Sequence, residues 1–223
     1  EIEKKLKGGK DLHAAINIVV KEVLADNMKV VWNGDNYTKE WHAEAAKRGL
    51  PNLRNTVDAV HSLHDKDIIK LFSTYGVLSE EEVSSRHTIM LENYIKTINI
   101  EALTASNIAR QQLLPASLKY QHQLAETANA TKAAGIKGGG AAEKGLKEVA
   151  ELTLTLAEAI DELDKTRAEA DGHGGDHTKH ATYYRDEVVP AMLKVREAAD
   201  ALELIVDDQL WPLPKYREML FVY

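Results

Sequence analysis

The stretch "SSRHTIMLENYIKTINIEALTASNIARQQLLPASLKY", residues 84–120, decides the architecture. Ser79 followed by Glu82 has the form of a capping box, and nothing interrupts helical periodicity from there to Pro115. At 100° per residue, Leu91, Tyr94, Ile95, Ile98, Ala102, Ala105, Ala109, Leu113, Ala116, Tyr120 and Leu124 fall on one stripe. Ile89, Ile100, Leu103, Leu114 and Leu118 fall on a second, almost opposite. A helix with two apolar sides lies between neighbours, so a long central helix over about 79–125 is expected. Pro115 should kink it, because proline removes the hydrogen bond to the carbonyl of Gln111. The polar groups strung along it, Arg86, Glu92, Asn99, Glu101 and Arg110, are expected to tie the helix to its surroundings, since half-buried polar groups on a central helix mostly bond neighbouring backbone and side chains.

Downstream, "AAGIKGGGAAEKG" (133–145) reads as a mobile connection. Gly140 and Gly145 have the spacing of a phosphate loop, but Leu146 and Lys147 stand where Lys and Ser/Thr are needed. Two apolar seams come next: Leu146, Val149, Thr153, Leu156, Ile160 and Leu163, then Ala181, Tyr184, Val188, Ala191, Val195, Ala198, Leu202 and Ile205. Joined by "DGHGGDH" (171–177), they predict an antiparallel helical hairpin over 142–208, only slightly bent at Pro190. The tail, 209–223, has two prolines and five large apolar residues, Trp211, Leu213, Tyr216, Leu220 and Phe221, and is expected to fold back in extended form and dock.

Upstream, Asp11 caps an amphipathic helix over 11–26 with Leu12, Ala15, Ile16, Val19, Val20, Val23 and Leu24 on one face. Val30, Val31 and Trp32 read as a short strand or extended pass. Thr38 caps a helix ended by Gly49, and short helices are expected at about 55–63 and 65–75. The fold class is therefore all-α: a long kinked central helix, shorter helices, a two-helix hairpin and an extended tail. The expected organisation is 1–78, an N-terminal helix and loop-rich helical insert, and 79–223, the long-helix bundle. Glu1 opens the chain without Met, in what reads as a helix stopped by Gly8 and Gly9, so a piece of a longer protein is expected.

Composition narrows the function. A formal net charge of -7 without a dense Lys/Arg cluster argues against nucleic acid and anionic membranes as partners. The absence of Cys excludes a thiolate metal site, a Cys nucleophile and a disulfide scaffold. No apolar run approaches the roughly 18 residues of a membrane span, and no signal-peptide pattern opens the chain, so a cytoplasmic location is expected. His173, His177 and His180, with Asp171 and Asp176, are the densest set of possible metal ligands, but they lack the companion glutamate of an HExxH helix and read as a solvated turn. Glu92 and Glu101 stand nine residues apart, about 13 Å along a straight helix, too far for a paired-carboxylate mechanism. Ser84 and Ser85 lie beside Arg86 and His87 without a nucleophile elbow.

Four stretches, "GLPNLRNTVDA" (49–59), "ENYIKTINIEALTASNIARQQLLPASLKY" (92–120), "YYRDEVVPAM" (183–192) and "WPLPKYREMLF" (211–221), resemble in order and spacing the C-terminal helical region of the type III glutamine synthetases. "NGDNYTKEW" (33–41) is similar to the same family's segment just upstream. The resemblance implies a large ring-shaped enzyme that uses ATP and a divalent metal, Mg²⁺, to join ammonia to glutamate through a γ-glutamyl phosphate. In that family the metal, nucleotide and glutamate ligands come from an N-terminal β-grasp domain and a catalytic barrel. Neither is recognisable here, so no catalytic, cofactor or metal residue carries over. The chain is expected to be inactive alone, with the catalytic domain and sister subunits as partners. The alternatives are an independent helical protein–protein interaction module and, less favoured, a metal-binding helical protein using the His173, His177 and His180 turn.

Overall fold

The computed structural model describes residues 1–136 and 140–220. Among the described residues every regular element is helical. The chain divides into two compact units, Glu1–Arg54 and Asn55–Tyr223. The division falls well before the boundary expected at 78, and packing explains the difference: the short helices after residue 55 lie on the long helix, and Val57 and Val60 join its core.

The first unit comprises α1 (Ile2–Lys7), α2 (Leu12–Asn27) and α3 (Lys39–Lys47). Asp11 caps α2, its carboxylate accepting from the Ala14 N–H at 3.1 Å. Only Ala15 of that helix is buried, while Leu12, Val20, Val23 and Leu24 remain about half exposed. Of residues 30–32, expected as a short strand or extended pass, Val30 closes a 3₁₀ turn over Met28–Val30 and Val31 follows in extended backbone. Carbonyls here are satisfied without a partner strand, because the Arg48 guanidinium donates to Lys29 O at 3.3 Å and Val31 O at 2.8 Å. Arg48 lies 5.5 and 5.9 Å from the rings of Trp32 and Trp41, which pack 5.1 Å apart. Gly34 lets this happen: a Cβ there would stand 2.6 Å from Trp32 Nε1.

The second unit begins with α4 (Thr56–His61), a 3₁₀ turn (Ser62–His64) and α5 (Lys66–Thr74). Three long rods complete it. The first is α6 (Glu80–Ile108) continued by α7 (Leu114–Ala133), and the second is α8 (Gly140–Glu169). The third is α9 (His177–Tyr183) continued by α10 (Val189–Glu203). The capping box at Ser79 is formed in both directions: Glu82 N–H donates to Ser79 Oγ at 3.2 Å, and Ser79 N–H to the Glu82 carboxylate at 2.7 Å. Of the Gly-rich stretch, 137–139 lies outside the described residues, while Gly140–Gly145 begins α8 rather than continuing a linker.

Both prolines are accommodated in one way. A five-residue π turn, Ala109–Leu113, separates α6 from α7, and another, Tyr184–Val188, separates α9 from α10. Pro115 and Pro190 each stand two residues after the turn. A wider turn has already given up the i→i−4 pattern that proline breaks, so the helix passes through without ending. Each π turn carries an extra residue and rotates the succeeding helix by about 100° relative to a plain α-helix. Leu114, expected on the outer stripe, accordingly packs against the core.

Cross-links give the directions of the rods. Ser106 meets Asp164, Arg110 meets Asp161, and Leu124 lies over Gly145, so α8 runs antiparallel to α6 and α7. Glu162 meets Lys194 and Glu169 meets Tyr183, so the third rod runs antiparallel to α8. One core fills the space between the three. Val149, Leu156, Ile160 and Leu163 from α8, and Val188, Val195 and Leu202 from the third rod, are buried in it, with Leu91, Ile95, Ala102, Ala109 and Leu113 from the first. Leu146, near the open end of α8, is half-buried.

The tail divides in two. Trp211 is buried and Leu213 packs against the same core, but Tyr216 and Leu220, expected to dock, are exposed. The reason is local: residues Tyr216–Met219 form a helical turn, α11, tied by Arg217 and Lys215 to Asp208. Phe221 lies outside the described residues.

Candidate functional site

The polar side chains of α6 separate into those that bridge rods and those that face outward. Arg110 donates to Asp161 and Asp164 of α8, both at 2.8 Å, and Ser106 Oγ donates to Asp164 at 2.6 Å. Burial works to raise the pKa of Asp164, but the bonds from Ser106 and Arg110 and the charge of Arg167 outweigh it, so the carboxyl sits below its ordinary range. The same bonds to Asp161 and Asp164 raise the pKa of Arg110. This is a closed ionic clasp. Ser106 has no imidazole among its partners and its hydroxyl is already donated, so it is no nucleophile.

Glu92 is half-buried, accepts from Lys96 at 3.1 Å and faces His177 of α9 at 3.7 Å. Asn99 is half-buried, and its Oδ1 has no hydrogen-bond partner. Arg86 and Glu101 are exposed, and neither makes a hydrogen bond or ion pair among the described residues. Arg86 instead borders a shallow surface groove with Glu82, Ser85, Ile89, Met90 and Asn93. Ile89, Ile100 and Leu103, an apolar row on one face of α6, and Leu118 of α7 beyond the π turn are 42–64% exposed.

A second clasp holds α4. Arg185, in the π turn of the third rod, donates to Asp58 and to its neighbour Asp186, both at 2.6 Å. The bond to Asp186, then the charges of Asp186 and Asp58, hold the guanidinium firmly protonated. Asp58, Asp161, Asp164, Arg185 and Ser106 do not stand out in the sequence. Ser106 and Arg110 are four apart and Asp161 and Asp164 three apart, a complementary pair of helical spacings that is a usable signal for the first clasp. No such signal exists for Asp58 and Arg185.

The three histidines of the 171–180 turn go to three different neighbours. His173 stacks on Tyr183 at 4.5 Å, His177 faces Glu92, and His180 leans on Tyr184 at 5.2 Å. Among the described residues, no group of three or more His, Asp or Glu is placed to hold a metal ion. The carboxylates that do converge, Asp161 and Asp164, are already neutralised by Arg110. These residues do not fit a Mg²⁺–nucleotide site, and no step of a phosphoryl-transfer reaction can be built on them. Among the described residues no helix is long and apolar enough to cross a membrane.

Among the described residues, the second unit is a three-rod helical domain fastened by two ionic clasps. A profile of the glutamine synthetase C-terminal domain matches residues 15–132, from α2 to the end of α7, and the chain belongs to that family. It is 35% identical over 213 residues to the type-3 glutamine synthetase of Dictyostelium discoideum, covering 93% of this chain and 29% of the relative. It is 34% identical over 214 residues to a glutamine synthetase of Butyrivibrio fibrisolvens, covering 96% and 30%. With a glutamine synthetase of Bacteroides fragilis it shares 27% identity over 225 residues, covering 99% and 31%. The α8–α10 hairpin lies beyond the family profile but within these longer matches. The chain thus spans about 30% of the length of the curated relatives it matches.

Proposed function

We propose that the chain is a noncatalytic helical scaffold of a glutamine synthetase, presenting the first rod to the enzyme's catalytic part or to sister subunits. The observation that carries this reading is the exposed row Ile89, Ile100 and Leu103, on the opposite side of α6 from a core that is already closed. An apolar strip on an otherwise well-packed unit is a surface made to be covered. ATP-dependent joining of ammonia to glutamate would then belong to the whole enzyme, with ATP and Mg²⁺ held outside this chain. Arg86 and Glu101, exposed on the same rod, are available as polar contacts at the edge of that interface.

Two measurements test the proposal. Purified chain supplied with glutamate, ammonia, ATP and Mg²⁺ should form no glutamine above background; turnover would end the noncatalytic reading. Sedimentation over a wide concentration range should show self-association through the uncovered strip, weakened in the Ile100→Glu, Leu103→Glu double variant. A monodisperse monomer at every concentration would count against an interface on this rod.

A further inference from the structure

Near the start of α6, histidines from separate elements meet. His87 is 5% exposed, and its Nε2 has no hydrogen-bond partner. His64, from the 3₁₀ turn after α4, stacks on it with centroids 3.8 Å apart and planes 25° apart. His61, at the end of α4, stands 6.2 Å from His87 and 6.4 Å from His64. The remaining charge acting on His87 is that of His177 on α9, whose own partner is Glu92 at 3.7 Å. Among the described residues no carboxylate is hydrogen-bonded to or paired with His87, and α5 also packs on α6.

We propose that His61, His64 and His87 form a proton-operated latch, holding residues 61–75 against α6 while the rings are neutral and releasing them when the rings become charged. Neutral imidazoles stack without penalty. A proton on His87 charges a ring whose Nε2 is buried without an acceptor, and a second on the exposed His64 or His61 sets a like charge against it, the ring centroids being 3.8 and 6.2 Å away. Histidine is the side chain whose charge changes between about pH 5 and 8. Burial, then the charges of His64, His61 and His177, pushes the pKa of His87 down. Its contribution to stability is therefore fully present above the ordinary imidazole pKa of about 6.5 and is lost as pH falls below it. The far side of α4 is fastened separately, by the ion pair between Arg185 and Asp58. Release is thus confined to the histidine side, the 3₁₀ turn and α5.

Hydrogen exchange read by mass spectrometry tests the latch, comparing peptides from 61–75 with the α8 seam, each corrected for intrinsic exchange. Between about pH 7.5 and about pH 5.5, protection of 61–75 relative to the seam should fall several-fold, as expected where opening is coupled to proton uptake. The fall should shrink below about threefold in His87→Phe and, separately, in His64→Gln, an exposed substitution that leaves the core intact. Equal protection at both pH values in the parent chain, or an undiminished fall in both variants, would overturn the proposal. So would a gain in protection on adding Zn²⁺ that a chelator reverses, since the cluster would then be a metal clip.

Discussion

At the scale of single residues, buried polar groups separate into those with full partners and those without, and their titrations differ accordingly. Asp164 has its carboxyl below the ordinary range, so its contribution to stability is present above the unfolded value of about 3.9 and is lost as pH falls through the lower folded one. His87, also depressed, begins to lose its contribution at about 6.5. Acid melting should accordingly show two declines, and Asp164→Asn should lessen the lower one, to which the depressed carboxyls of Glu82, Asp176, Asp186 and Asp208 also contribute, without moving the upper. Ser106→Ala, leaving one acceptor of a charged clasp without its hydroxyl, should cost about 1 to 2 kcal/mol in chemical denaturation. In the first unit, Gly34→Ala puts a methyl group 2.6 Å from an indole nitrogen held between Gly34 and Trp41. A loss of about 1 to 3 kcal/mol, with a change in tryptophan emission, is expected from that overpacking.

At the scale of elements, the rods depend on their register. Leu156→Ala, at a fully buried seam position, should cost about 2 to 5 kcal/mol, and Leu156→Asp more, because the charge would lack a partner. The π turn makes a sharper case. Gln112 is exposed, so Gln112→Ala should be neutral to within about 0.5 kcal/mol. Deleting the same residue should return the turn to α geometry, set Pro115 against an intact ladder and rotate all of α7 away from α8, which thermal melting would register as a large loss. The rods, the capping box at Ser79 and the seam positions are legible in the sequence because each rests on spacing within one helix. The π turns are not, since a single extra residue is lost among apolar stripes this broad and a proline in a helix reads as a kink. The histidine cluster and the Asp58–Arg185 clasp are equally hidden, because their members share no helix and no periodicity links them. At 30–32 the expected short strand or extended pass takes the extended form at Val31, where Arg48, distant in sequence, supplies the donor a neighbouring strand would have given.

At the scale of the whole molecule, the second unit is closed by contacts between its two ends, and the tail belongs to that closure through Trp211. Truncation after Asp208 should lower the denaturation midpoint, most of it traceable to Trp211, because Trp211→Ala alone should cost about 3 to 5 kcal/mol while Tyr216→Ala, at an exposed site, should cost little. The clasp between Asp58 and Arg185 joins residues 127 apart in the chain, and that separation has a temporal meaning. During synthesis at about 5 to 20 residues per second, α4 is made roughly 6 to 25 s before its arginine exists. Throughout that interval Val57 and Val60 have no third rod to pack on. α4 can lie on α6 as soon as that helix is made, but its ionic fastening comes only with the third rod, so the nascent unit passes through a stage in which this edge is held by α6 alone.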